Sequence, residues 1–177
     1  LNVVVLESNM GEVLDFVAYG RRKGVEVRFI EQMPGWDGGT DHVPNGAVKR
    51  LIESRHALRR LRSGEDRSGE SDLAGGERGA NGGDAAVRYA VDGGASIIGF
   101  VSPMSEPFCA GCDRIRLRGD GKLLPCLMSS IAHDLMPCVR PVQIAEDLEE
   151  TIRRALRLPG VVRTPAAGVP HMPRIGG

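Results

Sequence analysis

The sequence predicts an α/β fold on three observations. A β-branched apolar run at residues 2–6, a helically periodic segment and a second apolar run at residues 25–30 follow one another with short connections, as in a strand–helix–strand unit. Two later pairs of apolar runs are each joined by a turn built of Gly and Asp, as in hairpins. All four cysteines fall after residue 108, which sets a cysteine-free α/β part apart from a cysteine-bearing extension.

The elements follow in order. Residues 2–6, Asn-Val-Val-Val-Leu, read as a buried strand. Ser8 or Asn9 can cap a helix in which Val13, Leu14, Phe16 and Val17 share a face. Arg21, Arg22 and Lys23 suit the negative end of that helix, and Gly24 can supply its left-handed terminus. Residues 25–30, Val-Glu-Val-Arg-Phe-Ile, form a second strand parallel to the first. Ligand-handling residues of parallel α/β folds gather at the carboxyl ends of strands, which marks Arg28, Glu31 and Met33. Residues 34–45 are a Gly-rich loop holding Trp36, and a helix is expected from about 46 to 61. Residues 63–84 are Gly, Ser, Asp and Glu with almost no large apolar side chain, so a flexible insertion is expected. Runs at 86–91 and 95–101 flank Asp92-Gly93-Gly94, a hairpin signal. Runs at 113–118 and 122–126 flank Gly119-Asp120-Gly121, a second one. Residues 143–157 read as an amphipathic helix with Ile144, Leu148, Ile152, Ala155 and Leu156 inward. The Pro- and Gly-rich remainder reads as a surface tail.

Composition narrows the function. Hydrophobic residues make up 41% and charged residues 26%, which is ordinary for a soluble domain. The formal net charge is +0, so nothing argues for a nucleic-acid or membrane surface. No stretch is long and apolar enough to span a bilayer, and no charged region precedes the first apolar run as in a signal peptide. A strand beginning at residue one predicts a chain cut from something longer.

Cys109 and Cys112 form a C-x2-C pair around Gly111, and Cys126 follows at the end of the second hairpin, which returns the chain to its start. Three thiolates then converge. Structural zinc wants four protein ligands, and an electron-carrying cubane four thiolates; three thiolates leave one iron open. A zinc module completed by Cys138 or a histidine remains the alternative. Arg114 and Arg116 alternate with Ile115 and Leu117, so the two guanidiniums share one strand face, suited to an anionic ligand beside the metal. A solvated strand edge accounts for them equally well.

These residues carry a resemblance. The run Phe108-Cys-Ala-Gly-Cys-Asp-Arg-Ile-Arg-Leu, with Asp120-Gly-Lys-Leu-Leu-Pro-Cys126-Leu, resembles the C-terminal cluster motif of the molybdenum-cofactor biosynthesis protein A family, the radical SAM GTP 3′,8-cyclases. Asn2-Val-Val-Val, Glu12-Val-Leu-Asp-Phe-Val and Val25-Glu-Val-Arg-Phe-Ile-Glu-Gln-Met-Pro are similar to the family's last barrel strands, and Arg174-Ile-Gly-Gly177 to its terminus. The resemblance implies a C-terminal fragment of a partial (β/α) radical SAM barrel followed by a small α+β extension with β-hairpins carrying an Fe–S cluster. It divides the chain into the last βαβ unit at 1–38, a helix and insertion at 39–85, an auxiliary-cluster domain at 86–160 and a tail at 161–177. It makes Cys109, Cys112 and Cys126 the ligands of an auxiliary 4Fe–4S cluster whose open iron takes the guanine of GTP. Arg114 and Arg116 match nucleotide contacts, Arg28 matches one near the triphosphate, and Gly176 and Gly177 match a tail that enters the active site. S-adenosyl-L-methionine and a second 4Fe–4S cluster belong to an N-terminal part, whose C-x3-C-x2-C motif is absent here. This fragment is therefore expected to be inactive alone. The implied pathway partner is a cyclic pyranopterin monophosphate synthase, a homodimer is compatible, and the implied location is the cytoplasm, or the mitochondrion in a eukaryote.

Other residues are expected to be structural. His133 and His171 lack partners at ligand spacing, Cys138 reads as a buried or idle thiol, and Trp36 reads as packing. Glu31 fits either a role at the barrel mouth or a hydrogen-bonded structural one.

Overall fold

The computed structural model describes residues 1–33, 41–62, 85–107, 114–127, 131–141 and 144–157. It divides into two compact units, residues 1–33 with 39–112, and residues 34–38 with 113–177.

The first unit is built on a five-stranded sheet. Its strands are β1 (Asn2–Val5), β2 (Val27–Glu31), β3 (Leu58–Arg60), β4 (Val87–Val91) and β5 (Ser96–Val101), in the order β1-β2-β5-β4-β3. β1, β2 and β5 run parallel, with Val3 beside Phe29 and Phe29 beside Phe100. β4 returns antiparallel to β5 through Asp92, Gly93 and Gly94, all at positive φ, as the hairpin signal predicts. Strands 87–91 and 96–101, grouped from the sequence with the cysteine segment, thus hydrogen-bond into the same sheet as β1 and β2.

Helix α1 (Val13–Lys23) follows a 3-10 segment at Glu7–Glu12, and α2 (Asn45–Glu53) follows β2. Asn9 acts earlier than a cap of α1: its Oδ1 accepts the Leu6 amide at 2.9 Å and its amide donates to Val4 O at 3.0 Å, shaping the 3-10 segment. Gly24 ends α1 at φ 69°, as expected. Val13 and Val17 of α1 and Val48 and Ile52 of α2 are buried with Val3, Val5, Val27, Phe29, Ile98 and Phe100, forming the core on one sheet face. Burying each such side chain contributes about 1.5–3 kcal/mol.

The helix expected to about residue 61 stops at Glu53, and residues 58–60 become the edge strand β3. The cause is tertiary. Asp92 takes the Ala57 amide at 3.0 Å and His56 Nδ1 at 2.8 Å, pulling the chain out of the helix and into register with β4.

The second unit holds β6 (Arg116–Leu117), β7 (Lys122–Leu124) and β8 (His133–Asp134) in one antiparallel sheet, followed by α3 (Met136–Val139) and α4 (Ala145–Arg157). β8 was not foreseen from the sequence. Leu123, Leu135 and Ala155 form its small core, with Leu148 and Ile152 packed against them. Ile144 and Leu156, expected inward, are 48% and 52% exposed, so the apolar stripe of α4 is narrower than its sequence suggests. No helix among the described residues is long and apolar enough to cross a membrane.

Candidate functional site

The β6–β7 hairpin is set by its turn. Arg118 O accepts the Gly121 amide at 3.0 Å, Arg118 N donates to Lys122 O at 2.9 Å, and Gly121 sits at φ 77°. A three-residue loop ending in a left-handed glycine is a favoured hairpin connection. Asp120 accepts from Arg118 at 2.9 Å, which holds the loop from outside. Arg116 pairs with Leu124 and Leu117 with Leu123. The paired ladder ends there, with Arg114 two residues before Arg116 and Cys126 two residues after Leu124.

Cys126 is half-buried and Arg114 and Arg116 are exposed. Cys109 and Cys112 lie outside the described residues, as do Trp36, His171, Gly176 and Gly177. Cys138 is half-buried, its Sγ 3.7 Å from the Thr151 hydroxyl across the packing of α3 on α4. His133 lies in β8 with Nε2 buried and without a hydrogen-bond partner in the described structure. Thiolates are the ordinary ligands of iron–sulfur groups, so cysteine donors are chemically suited to one; among the described residues no group of three His, Cys, Asp or Glu side chains could hold a metal ion.

Arg28 lies on the sheet face opposite the helices. Across the sheet it neighbours Gly99, which in turn neighbours Arg88. Glu26 joins the two guanidiniums: Arg28 Nε donates to Oε1 at 2.7 Å, and Arg88 Nε and a terminal nitrogen donate to Oε2 at 3.2 and 3.1 Å. Gly99 makes this possible, because a Cβ there would stand 3.3 Å from Arg28 Cγ and 3.4 Å from Glu26 Oε1. Arg88 and Glu26 were missed in the sequence. The available signal was Gly99 itself, a glycine inside an apolar strand, which marks a close approach of neighbouring groups.

At the carboxyl end of β2, Glu31 is 1% exposed. Its Oε1 accepts the Asn45 amide at 2.8 Å and the Ser105 hydroxyl, and its Oε2 accepts the Met104 and Ser105 amides at 3.0 and 2.9 Å. Burial pushes the carboxyl up, but the Ser105 hydroxyl and these backbone amides outweigh it and hold the carboxyl below its usual range. Asn45 completes the arrangement, its side-chain amide donating to Val101 O at 2.9 Å and Ser102 Oγ at 3.0 Å. Of the two readings kept for Glu31, the hydrogen-bonded one is what this geometry displays. Asn45 and Ser105 carry no sequence signal, since they meet Glu31 only in the fold.

Residues 25–159 match the family described as Molybdenum Cofactor Synthesis C. The chain is 34% identical over 162 residues to the GTP 3′,8-cyclase of Moorella thermoacetica, covering 89% of this chain and 45% of that protein. It is 36% identical over 162 residues to the GTP 3′,8-cyclase of Nostoc punctiforme, with the same two coverages of 89% and 45%. It is 32% identical over 145 residues to molybdenum cofactor biosynthesis protein 1 of Drosophila melanogaster, covering 82% of this chain and 23% of that protein. The chain spans less than half the length of these curated relatives. It belongs to the Molybdenum Cofactor Synthesis C family, as a C-terminal portion of the molybdenum-cofactor biosynthesis protein A type.

Proposed function

We propose that this chain is the nucleotide-holding, auxiliary-cluster part of a GTP 3′,8-cyclase, which converts GTP to (8S)-3′,8-cyclo-7,8-dihydroguanosine 5′-triphosphate at the start of molybdopterin synthesis. Cys109, Cys112 and Cys126 hold the cluster. Arg114, Arg116 and Arg28 hold the nucleotide, and Gly176 and Gly177 form the tail that reaches it. A 4Fe–4S cluster on three thiolates supplies an iron with an open position for the guanine. Guanidiniums stay charged and grip phosphate oxygens bidentately, so the arginines bind and orient GTP rather than move protons. Glu26 restrains Arg28, which limits the conformations its guanidinium can take.

S-adenosyl-L-methionine and a second 4Fe–4S cluster are the business of a part that this chain does not contain. The proposed division of labour follows the ranges 1–38, 39–85, 86–160 and 161–177, and the product would pass to a cyclic pyranopterin monophosphate synthase. The observation that supports the reading is the cysteine spacing, a C-x2-C pair followed by Cys126 after the β6–β7 hairpin, in a chain whose residues 25–159 match the family. The names of two relatives at 34% and 36% identity, both GTP 3′,8-cyclases, support the same substrate.

Anaerobic reconstitution with iron and sulfide tests it. The protein should turn brown and hold about four irons per chain, and Cys126→Ser should lose them. A colourless protein holding one zinc would end the cluster reading in favour of the zinc module. Arg114→Ala and Arg116→Ala should keep the iron and weaken GTP binding by about 1.5–3 kcal/mol each. Unchanged affinity in both would remove the arginines from the substrate site.

A further inference from the structure

Arg28, Glu26 and Arg88 form one group on the sheet face opposite the helices. Arg88 stands on the far side of Gly99 from Arg28. Two strand spacings, about 10 Å, separate the backbones of the two arginines. Glu26, two residues before Arg28, reaches both guanidiniums over a residue without Cβ. A Cβ on Gly99 would stand 3.2 Å from Ala86 Cβ, 3.3 Å from Arg28 Cγ and 3.4 Å from Glu26 Oε1. The two grips on the carboxylate differ. Arg88 meets Oε2 with Nε and a terminal nitrogen together, at 3.2 and 3.1 Å, a fork that fixes the direction of the carboxylate. Arg28 meets Oε1 with Nε at 2.7 Å, which sets the plane of its guanidinium. The Arg88 and Glu26 side chains are 27% and 21% exposed, so salt screens their attraction less than that of a surface pair. Two guanidiniums on one carboxylate leave a positive excess, suited to an anion.

We infer that Arg88 is a positioning residue for Arg28, acting through Glu26: the fork sets the carboxylate, and the carboxylate aims the Arg28 guanidinium at the phosphate end of a nucleotide before the nucleotide arrives. An arginine aimed in advance does not have to be ordered when its ligand binds. The inference rests on the reading of Arg28 as a nucleotide contact, but the tie from Arg88 to Arg28 stands apart from it.

The test compares the unchanged chain of 177 residues with Arg28→Met, Arg88→Met, Arg88→Lys, Glu26→Gln and the double variant Arg28→Met/Arg88→Met. Folding is checked by circular dichroism. Nuclear magnetic resonance of the Arg28 Nε–H in metal-free protein reads the tie itself, the signal being identified by its loss in Arg28→Met. It should shift, and exchange faster with water, in Arg88→Met. Calorimetric titration of the reconstituted chain with GTP and with guanosine reads the consequence. Arg28→Met should weaken GTP binding by about tenfold or more, the size of a lost charged hydrogen bond. Arg88→Met keeps Arg28 but not its aim, and should weaken GTP binding about three- to tenfold, the cost of ordering one long side chain. Guanosine, which has no phosphate, should bind to Arg88→Met as before. The double variant should bind GTP no more weakly than Arg28→Met alone, because Arg88 acts only through Arg28. Glu26→Gln separates aim from charge, and it carries the test if Arg88→Met fails to fold. Removing a negative charge tightens GTP binding if charge alone matters, whereas losing the aim weakens it, and weaker binding is expected. An Arg28 Nε–H signal unmoved in a folded variant, full recovery in Arg88→Lys, losses that multiply in the double variant, or tighter GTP binding in Glu26→Gln would each overturn the inference. If Arg28→Met binds GTP like the unchanged chain while the Nε–H signal still answers to Arg88→Met, the positioning stands and the nucleotide reading of Arg28 falls.

Discussion

Gly121→Ala tests the hairpin that brings Cys126 back, and its cost can be worked from the geometry. Gly121 sits at φ 77°, and a side chain in that left-handed region costs about 1–2 kcal/mol. An added Cβ would also stand 2.6 Å from Met136 Cγ and closer still to Met136 Sδ. Met136 follows Leu135, part of the small core with Leu123 and Ala155. Displacing it is overpacking, about 1–3 kcal/mol, at the lower end because a methionine bends. The combined loss of about 2–4 kcal/mol is most of what a core of this size supplies, about 3–5 kcal/mol. Gly119→Ala is the matched control, since a Cβ there meets nothing within 4 Å. Backbone amide exchange across residues 116–124 and at Leu135, whose N–H donates to Gly121 O at 3.0 Å, is the assay. Gly121→Ala should speed exchange by about thirtyfold or more, taking 1.4 kcal/mol per factor of ten. Gly119→Ala should leave it nearly unchanged. Met136→Ala added to Gly121→Ala should relieve the contact but leave the φ penalty. Equal protection in the two alanine variants would refute the turn geometry as the device that registers β6 on β7.

Two further variants probe the first unit. Gly20→Ala gains about 1 kcal/mol of helix propensity, but its Cβ would lie 2.7 Å from Val27 Cγ2 and 3.0 Å from Val25 O, so α1 must lift off β2. A net loss of about 1–2 kcal/mol in urea unfolding is expected, against no loss for Gly11→Ala, where a Cβ meets nothing. The Asp92 carboxyl is held below its ordinary value by His56 and then by the Ala57 amide, with Arg21 adding attraction against partial burial. A depressed folded-state value means the stabilisation is present above the unfolded value of about 4 and drains away as pH falls through the folded one. Asp92→Asn keeps a residue suited to φ 47° and should flatten the urea midpoint between about pH 2 and 5. An unchanged acid profile would remove the Asp92–His56 tie from the account of β3.

How much was legible before the fold was known follows from how far apart the deciding groups lie. The first βαβ unit was readable because strand, helix and strand each carry their own periodicity and Gly24 marks the join. Both hairpins were readable because a turn of Asp and Gly is a local chemical requirement. β3 was not, since residues 54–60 prefer no strand until Asp92, some 35 residues away, captures His56 and Ala57. The cysteine spacing and the arginine alternation were likewise local and pointed to the family.

What the sequence by itself determined is therefore the set of pieces: which segments are strands, where they turn, and which thiols and guanidiniums stand close in the chain. Only the tertiary structure decided who meets whom. It set β5 between β2 and β4, so that Arg28 and Arg88 share Glu26 over a glycine. It also buried Glu31 among donors from residues 45, 104 and 105. The reason is physical: periodicity and turn propensity act over a few residues, whereas a buried charge is defined by groups that only the folded chain brings within 3 Å of it.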